Sequence, residues 1–371
     1  MQMTRSRKIL GTAEVVAAVV VLVLAVVLAP AYTGEQPAET APATEATEAA
    51  TADAETQPAE TTTEPPTEPP EVGEYTVENY IVLTSDSAME MYSVAKKRLT
   101  EYGETLNALK SRVPEINVYS LLAPTRIAFY GPEEYRTGSH SQTRGVEIAY
   151  GAMSDDIVKV DAYSHLSRHT DEYIYFRTDH HWTARGAYYA YEAFCESANL
   201  ECKPLSAHET GRLDDFVGSM YRYTHSENLK NNPDYVEVFY PTVEASGQYY
   251  STPAMTDGKT LRIISTSIKD ESSKYMAFIQ GDKPLIKMTS ACGSDRKILL
   301  IKESYGNAFA PFLLENFGEV YVLDPRQDGV KGMNLPQFLR EQGITDVLVL
   351  NYLMAPSNST FMDAFNEMVY V

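Results

Sequence analysis

The sequence of 371 residues is poor in cysteine and tryptophan and short of positive charge. It holds 3 Cys and 1 Trp, and its 31 Lys and Arg are outnumbered by 51 Asp and Glu, which gives a formal net charge of −20. Three cysteines cannot build a disulfide framework, and no CxxC spacing points to structural zinc. Unspecific nucleic-acid binders, and proteins that hold anionic lipid through a basic patch, need a positive surface. We therefore expect no nucleic-acid partner.

The composition is nevertheless that of a folding chain. Hydrophobic residues make up 44% and aromatic residues 11% of the sequence, with 26 Tyr. This supply of apolar side chains is enough for a sizeable core. The length is more than twice a usual single domain of roughly 150 residues, so we expect two domains or one large domain with extensions.

The first 32 residues resemble an export signal. Arg5, Arg7 and Lys8 precede an apolar segment at residues 9–29. Positive residues before such a segment stay inside, so the rest of the chain is expected outside the cytoplasm. The segment suits a retained signal-anchor, which would make a single-pass cell-membrane protein, but Ala29-Pro30-Ala31 resembles a cleavage site, which would give a secreted one. Both alternatives stay open.

Residues 33–74 form a tail of Thr, Glu, Pro and Ala. This tail has eleven acidic residues, no Lys or Arg and no aromatic residue. Such a segment cannot bury enough apolar area to offset its ordering entropy. We predict a disordered stalk that holds a folded domain, residues 75–371, away from the membrane.

The pattern of residues 75–371 predicts a mainly parallel sheet covered on both faces. Apolar runs predict strands at residues 116–123, 157–160, 297–301, 319–323 and 346–350, and periodic segments predict helices at residues 87–112, 184–199, 308–317 and 335–342. Continuous apolar strands that alternate with helices are typical of parallel sheets. The Tyr-rich, turn-rich segment 216–287 predicts an antiparallel β insertion.

The first candidate for chemistry is residues 175–183, YFRTDHHWT. Asp179 and His181 are two positions apart, so in an extended backbone they project to the same side and His180 to the other. A carboxylate in that position holds the imidazole in one tautomer and leaves its second nitrogen free. The alternative is a buried polar turn without catalytic function.

The second candidate is residues 302–308, KESYGNA, directly after an apolar strand. A small nucleophile at the carboxyl end of a central parallel strand is a recurrent site geometry. Ser304 is therefore a candidate nucleophile, although it could simply cap the following helix. Ser304, His181 and Asp179 together supply the three parts that activate a hydroxyl.

Residues 178–183, TDHHWT, resemble the signature of the DHHW family, exported relatives of the alginate O-acetylation proteins and of SGNH-like hydrolases. The resemblance extends through segments in matching order: APTR at 123–126, GAYYAY at 186–191, FVGSMY at 216–221, NPD at 232–234, SYGN at 304–307 and DPR at 324–326. In the acetylation relatives a D-x-H-W element precedes the nucleophilic serine. Asp179, His181 and Ser304 occupy those positions.

The resemblance implies a flavodoxin-like, SGNH-hydrolase-like α/β/α domain and acyl-ester chemistry on a surface glycan. It also implies that a membrane acyltransferase of the MBOAT type supplies the acyl group. We expect an O-acetyltransferase or esterase that acts on cell-surface polysaccharide without a cofactor. The alternative is a non-catalytic glycan-binding or assembly module of the cell envelope.

Further site residues follow from the inferred mechanism. The Tyr305 backbone N–H and the Asn307 side chain are candidate oxyanion donors. Arg126 and Arg177 are candidates for binding an anionic group of the substrate, with ordinary salt bridging as the alternative.

Two other kinds of site were weighed against this one. Asp179, His180 and His181 with His165 or His169 could suggest zinc, but adjacent histidines are expected to diverge and no HExxH spacing is present. We therefore expect no metal.

Cys195 and Cys202 are close enough to pair across a helix end in an exported protein, which would leave Cys292 free.

Overall fold

The described chain begins with a small antiparallel sheet. The computed structural model describes residues 72–371, so the predicted segment 1–32 and the stalk up to residue 71 lie outside the described residues. Strands β1 (Thr76–Glu78), β2 (Ile81–Leu83) and β3 (Ala88–Glu90) form this sheet, with β2 in the middle. None of the helices in residues 72–371 has both the length and the apolar character needed to cross a membrane.

The prediction of helix from residue 87 was wrong at its start. Helix α1 (Lys96–Arg112) begins later, and Ala88–Glu90 is strand β3. Ala88 packs with Ile81, whereas Met89 packs with Val82 in a different cluster. Side chains that alternate between two faces follow the period of a strand, and these contacts decide the conformation.

The remaining elements form a larger α/β unit. Its strands are β4 (Asn117–Ala123), β5 (Ile157–Val160), β6 (Thr210–Phe216), β7 (Asp234–Phe239), β8 (Ala245–Tyr250), β9 (Lys259–Leu261), β10 (Leu285–Ser290), β11 (Lys297–Lys302), β12 (Glu319–Leu323) and β13 (Asp346–Tyr352). Its helices are α2 (Ile127–Tyr130), α3 (Gln142–Gly151), α4 (Ala162–Ser167), α5 (Ala184–Ala198), α6 (Ser219–Thr224), α7 (Glu227–Asn231), α8 (Gly306–Phe309), α9 (Leu335–Gln342) and α10 (Ser359–Tyr370).

The central sheet has the predicted parallel core. Its strand order is β5-β4-β13-β11-β12-β10-β8-β9, and the first five strands are parallel. The five strands predicted from apolar runs are these five, so that prediction is confirmed. The Tyr-rich insertion is antiparallel as expected, but it divides: β8, β9 and β10 extend the central sheet, and β6 pairs with β7 separately.

Both faces of the sheet are covered, which makes the fold a three-layer α/β/α architecture. Along β11, Ile298 and Leu300 belong to the core that contains α5, whereas Leu299 and Ile301 belong to the core that contains α1, α9 and α10. A strand buried on both sides has a continuous apolar sequence, which is why these strands were recognisable.

The segment after β11 departs from the predicted helix 308–317. Helix α8 covers Gly306–Phe309, and a 3-10 helix continues over Ala310–Glu315. Pro311 has no backbone N–H to donate, so the regular α-helical pattern does not continue through it.

Buried charges join the ends of the central strands. Lys302 is fully buried, and its Nζ lies 2.7 Å from Asp282 Oδ1 and 3.8 Å from Asp324 Oδ2. Arg326 contacts the same two aspartates at 2.7 Å. This network holds the end of β11 against the end of β12 and the loop before β10.

We expect Lys302→Met to lower the free energy of unfolding by about 3–5 kcal/mol, because it removes one of the two cations that Asp282 and Asp324 share and leaves their buried negative charge only partly balanced by Arg326. Lys297→Met, at the other end of β11, removes a partly exposed pair with Glu319 and should lower it by less than about 1 kcal/mol. Urea denaturation of both variants measures the difference, and equal losses would contradict this account.

Candidate active site

The DHHW segment is a tight bend rather than an extended strand. Tyr175 forms a bridge with Trp182, and Phe176 N donates to His181 O at 3.3 Å. Residues 177–181 bend between these contacts. The extended backbone used to align Asp179 with His181 is therefore wrong, and the alignment arises from the bend.

Asp234 fixes this bend from a distant part of the chain. Its Oδ2 accepts hydrogen bonds from Thr178 N and Thr178 Oγ1, each at 2.7 Å, and from Arg177 N at 3.0 Å. Arg177 also donates through Nε to Asp234 Oδ1 at 3.2 Å. The guanidinium of Arg177 is thus a structural partner of Asp234, which is the salt-bridge alternative to substrate binding.

The fold brings Ser304, His181 and Asp179 together. His181 Nε2 lies 2.8 Å from Ser304 Oγ, and His181 Nδ1 lies 2.5 Å from Asp179 Oδ1. Both distances are those of hydrogen bonds. A proton on Nδ1, held by the carboxylate, leaves the lone pair of Nε2 directed at the serine hydroxyl, which is the tautomer that a general base requires.

The electrostatics of Asp179 favour its charged form. Burial by itself would raise its pKa, but the neighbouring His181 and His180 and the hydrogen bonds to the carboxylate hold the pKa well below its usual range. These bonds come from His181 and from Ser219 N, which donates to Oδ2 at 2.7 Å. An ionised Asp179 stabilises the imidazolium that forms when His181 accepts a proton.

Gly218 allows the close approach that this arrangement needs. A Cβ at position 218 would lie 2.3 Å from both the Cβ and the Oδ2 of Asp179. Only glycine fits there, because such a distance is a steric overlap. Within the segment FVGSMY, Gly218 therefore leaves room for the side chain of Asp179, and the backbone N–H of Ser219 donates a hydrogen bond to its carboxylate.

His180 does not diverge from His181 as predicted. The two ring centroids are 3.8 Å apart, and His180 Nδ1 contacts Ser219 Oγ at 2.5 Å. Burial and the neighbouring His181 lower the pKa of His180 to about 4. His180 is therefore a neutral ring at pH 7 that packs against the ring of His181, and the strand periodicity used for the prediction does not apply to a bend.

Three aromatic residues hold the turn that carries Ser304. Trp182 Nε1 donates to Tyr305 O at 2.9 Å, and Tyr275 OH donates to Ser304 O at 3.0 Å. The ring of Tyr275 also stacks on His181, with centroids 3.9 Å apart and planes at 10°. Tyr305 OH donates to His180 O. The bend that carries His181 and the turn that carries Ser304 are thus connected through backbone as well as side-chain hydrogen bonds.

Both predicted oxyanion donors are bound to other acceptors. Tyr305 N donates to Glu303 Oε2 at 3.0 Å, and Asn307 Nδ2 donates to Asp282 Oδ1 at 2.9 Å. The N–H of Ser304 itself donates to no acceptor within residues 72–371. The sequence analysis did not consider this donor, although it adjoins the Ser304 hydroxyl.

Glu303 is a second residue that sequence reasoning missed. Its buried carboxylate accepts from Tyr305 N and, through Oε1, from Tyr352 N at 2.9 Å, and Oε2 lies 3.5 Å from Ser304 Oγ. Burial raises its pKa to about 7. The sequence does carry a signal for Glu303, because an acidic residue directly follows a buried apolar strand. An unpaired charge is unfavourable there, so a role for this residue could have been expected.

Arg126 lines a cavity that the three residues do not line. Its guanidinium stacks over Tyr130 at 4.5 Å and faces a cavity of about 400 Å³. Asp179, His181 and Ser304 are not among the residues that line this cavity. Within residues 72–371 Arg126 forms no hydrogen bond with Ser304, His181 or Asp179 and instead contacts Tyr175 O at 3.5 Å, so its part in substrate binding stays a prediction.

The residues weighed for zinc do not all converge. Asp179, His180 and His181 place one donor atom each within 4.8 Å of one another. His165 instead contacts Glu196, and His169 contacts Glu172.

The predicted disulfide between Cys195 and Cys202 is not formed in the structure, in which Cys195, Cys202 and Cys292 are free thiols.

Comparison with known proteins agrees with this geometry. The family model described as DHHW protein matches residues 56–323. The chain belongs to the DHHW family. A DHHW family protein from Eubacterium siraeum has a similar solved structure, with 30% sequence identity and a TM-score of 0.70 over 79% of this chain and 98% of that chain.

A more distant protein shares the fold. PatB1 from Bacillus cereus is 16% identical, with a TM-score of 0.63 over 76% of this chain and 98% of that chain. PatB1 has also been solved with a sulfonyl adduct, and that structure is similar to the same degree. None of the curated proteins matches the chain significantly. The described DHHW domain thus has the three-layer α/β/α fold that the sequence predicted, and both relatives share this fold.

We expect Gly218→Ala to displace Asp179 and loosen its bond to His181, because the new Cβ overlaps the carboxylate. Reaction of Ser304 with phenylmethylsulfonyl fluoride should slow by about 10-fold or more, since the base loses its orientation. Intact-protein mass spectrometry follows the labelling. Gly151→Ala is the control, because a Cβ there meets no atom within 4 Å, and equal rates in the two variants would contradict the role of Gly218.

The raised pKa of Glu303 predicts that the free energy of unfolding depends on pH. Its pKa in the folded protein is about 7, against an ordinary value of 4.5. Between these values the folded protein keeps a proton that the unfolded chain releases, so its contribution to stability falls as pH rises from 4.5 through 7. Over this pH range the free energy of unfolding falls by on the order of 3 kcal/mol.

Glu303→Gln should remove this decrease in the free energy of unfolding between pH 4.5 and 7, since an amide does not titrate in that range. Urea unfolding from pH 4.5 to 8 measures it, and Glu341→Gln on the exposed side of α9 is the matched control. An unchanged pH dependence in Glu303→Gln would show that another group is responsible.

Proposed function

We propose that this DHHW protein is an extracytoplasmic Ser-His-Asp acyl-ester enzyme, an O-acetyltransferase or esterase of cell-surface polysaccharide. The observation that carries the proposal is the continuous chain of hydrogen bonds from Ser304 Oγ through His181 to Asp179. Ser304 is half-buried, so a substrate can reach it, whereas the other two are buried and held in place.

The first half of the reaction transfers the acyl group to the protein. Ser304 Oγ attacks the carbonyl carbon of an acyl ester while its proton passes to His181 Nε2. The carbonyl oxygen becomes an oxyanion, for which the free N–H of Ser304 is a suitable donor. The ester bond then breaks, and the departing alcohol takes the proton from His181. The product is an acyl group on Ser304.

The second half returns the serine. A sugar hydroxyl gives its proton to His181 Nε2 and attacks the acyl carbon, which transfers the acyl group to the glycan. Water in the place of the sugar gives hydrolysis instead. In both cases Ser304 Oγ regains the proton from His181, so atoms and charge balance. Asp179 keeps its charge throughout and stabilises the imidazolium.

The sequence supports a location outside the cytoplasm. The apolar segment 9–29 anchors or exports the chain, and the acidic segment 33–74 extends the domain toward the glycan. An acyl donor on the outer face requires a delivery partner, and a multi-span acyltransferase of the MBOAT type fits the chemistry that the family resemblance implies. Membrane tethering and this partner are parts of the proposal.

We expect Ser304→Ala to abolish, and His181→Ala to reduce by on the order of 10⁴-fold, the hydrolysis of 4-nitrophenyl acetate. Labelling by phenylmethylsulfonyl fluoride should stop in the serine variant. His165→Ala, which removes a surface histidine bonded to Glu196, is the matched control and should retain activity. Circular dichroism confirms that the variants fold.

A folded wild-type protein that neither hydrolyses the ester nor takes up the sulfonyl group would overturn the enzyme proposal. The non-catalytic glycan-binding module would then be the better interpretation. Full activity in Ser304→Ala would instead place the nucleophile elsewhere.

Protease added to intact cells should release a folded fragment that begins near Tyr75. This result is expected because an exposed stalk is cut before a packed domain. Mass spectrometry of the released fragment gives its first residue. Release only after lysis would contradict the proposed topology.

A further inference from the structure

The cavity that Arg126 lines lies between the small N-terminal sheet and helix α2. Its volume is about 400 Å³. The lining consists of residues 72–74, the turn at residues 84–87 between β2 and β3, Met89, Arg126 and Tyr130. Cavities of roughly 300–1,000 Å³ are typical of sites for small ligands. This one is therefore large enough to hold a ligand.

Arg126 is a cation without an ion pair among residues 72–371. Its guanidinium carbon lies 4.5 Å from the centre of the Tyr130 ring, and Nη1 makes one long contact, 3.5 Å, with Tyr175 O. The Nε of Arg126 is buried without a hydrogen-bond partner, whereas Nη2 donates to no acceptor of these residues and is not buried. A guanidinium has five N–H donors and keeps its charge. Donors of Arg126 therefore remain for a ligand, and an anion beside them would offset the unfavourable burial of the cation.

Two acidic residues of the lining do not neutralise Arg126. Asp86 is exposed and accepts a hydrogen bond from Thr84 Oγ1 at 3.2 Å, and Glu74 is exposed as well. Exposed charges interact only weakly through water. They still oppose a ligand with two negative charges more than a ligand with one, because like charges repel. The lining therefore favours a carboxylate over a phosphate.

The other groups of the lining suit a sugar. Thr84, Ser85 and Ser87 carry hydroxyl groups, which exchange hydrogen bonds with sugar hydroxyls. The ring of Tyr130 adds an aromatic surface. A few polar groups beside an aromatic ring are typical of a site that orients a small polar ligand.

The cavity adjoins the bend that carries the candidate active site. Ser87 and Met89 flank Ala88, whose backbone N–H donates to Arg177 O at 3.0 Å. Arg126 contacts Tyr175 O, and Tyr175 bridges Trp182 at the other end of the bend. A ligand in the cavity would therefore lie next to the segment that holds Asp179 and His181.

We propose that this cavity is an accessory site that binds the carboxylate of an acidic sugar. Hydrogen bonds from a guanidinium to a carboxylate are charge-assisted and stronger than neutral ones. The Tyr130 ring holds the guanidinium plane before the ligand arrives, so little freedom is lost on binding. The choice of a saccharide rests on the proposed function, and binding in the cavity does not require Ser304 to react.

Titration calorimetry on the full-length Ser304→Ala protein compares trigalacturonate with its methyl ester. The ester has the same sugar rings without the charges, and the serine variant cannot cleave it by the proposed mechanism. We expect trigalacturonate to bind at least about 10-fold more tightly than the ester. Adding Arg126→Gln should remove most of this difference. Inorganic phosphate should compete less well than galacturonic acid.

Arg144→Gln is the matched control, because Arg144 is exposed on α3, and it should leave both affinities unchanged. Thermal unfolding followed by circular dichroism checks the fold. If Arg126→Gln does not fold, Arg126→Lys replaces it, since lysine keeps the charge without the planar group, and it should weaken trigalacturonate but not the ester. Equal binding of acid and ester, an unchanged difference in the Arg126 variant, or better competition by phosphate would overturn the proposal.

A carboxylate could also come from the chain itself, because Glu68 and Glu71 precede the first residues of the lining. The double variant Glu68→Gln with Glu71→Gln separates the two sources. Unchanged affinity for trigalacturonate supports the acidic sugar, whereas an increase of about 10-fold or more that requires Arg126 would assign the cavity to the chain's own carboxylates and overturn it. Failure of wild-type Ser304 to take up a sulfonyl group would count against the enzyme proposal alone.

Discussion

The candidate site depends on keeping Asp179 charged while it is almost completely removed from water. A buried carboxylate is stable only where hydrogen-bond donors surround it. Here the donors come from both His181 and Ser219. Placing them requires the bend around Asp179 and a glycine at position 218. Asp234 in turn stabilises the bend, so three separate segments of sequence serve one ionised group.

The candidate nucleophile, Ser304, is held by an equally constrained turn. Ser304 follows the buried residues Lys302 and Glu303. The ammonium group of Lys302 donates to Asp282, and the carboxyl group of Glu303 accepts a hydrogen bond from Tyr352 N. Trp182 bonds the backbone of Tyr305, while Tyr305 bonds the backbone of His180. These reciprocal contacts fix the distance between His181 and Ser304, because neither loop can shift without breaking hydrogen bonds to the other.

The small N-terminal sheet completes the surroundings of the site. Its strand β3 packs between two clusters, with Met89 on the side of Ile127 and Ala88 on the side of Met220. Arg126 faces the cavity lined by Met89, whereas Glu90 lies on the opposite face.

The sequence alone determined the parallel core and the three residues that meet at its edge. Strands such as β11 are buried on both faces, so their apolar runs are visible without a structure, and Ser304 follows directly from the end of one. The bend at Asp179, the stacking of the histidines, strand β3 and the partners of Glu303 were decided by tertiary structure. Each depends on contacts between residues far apart in the chain, and local periodicity carries no information about such contacts.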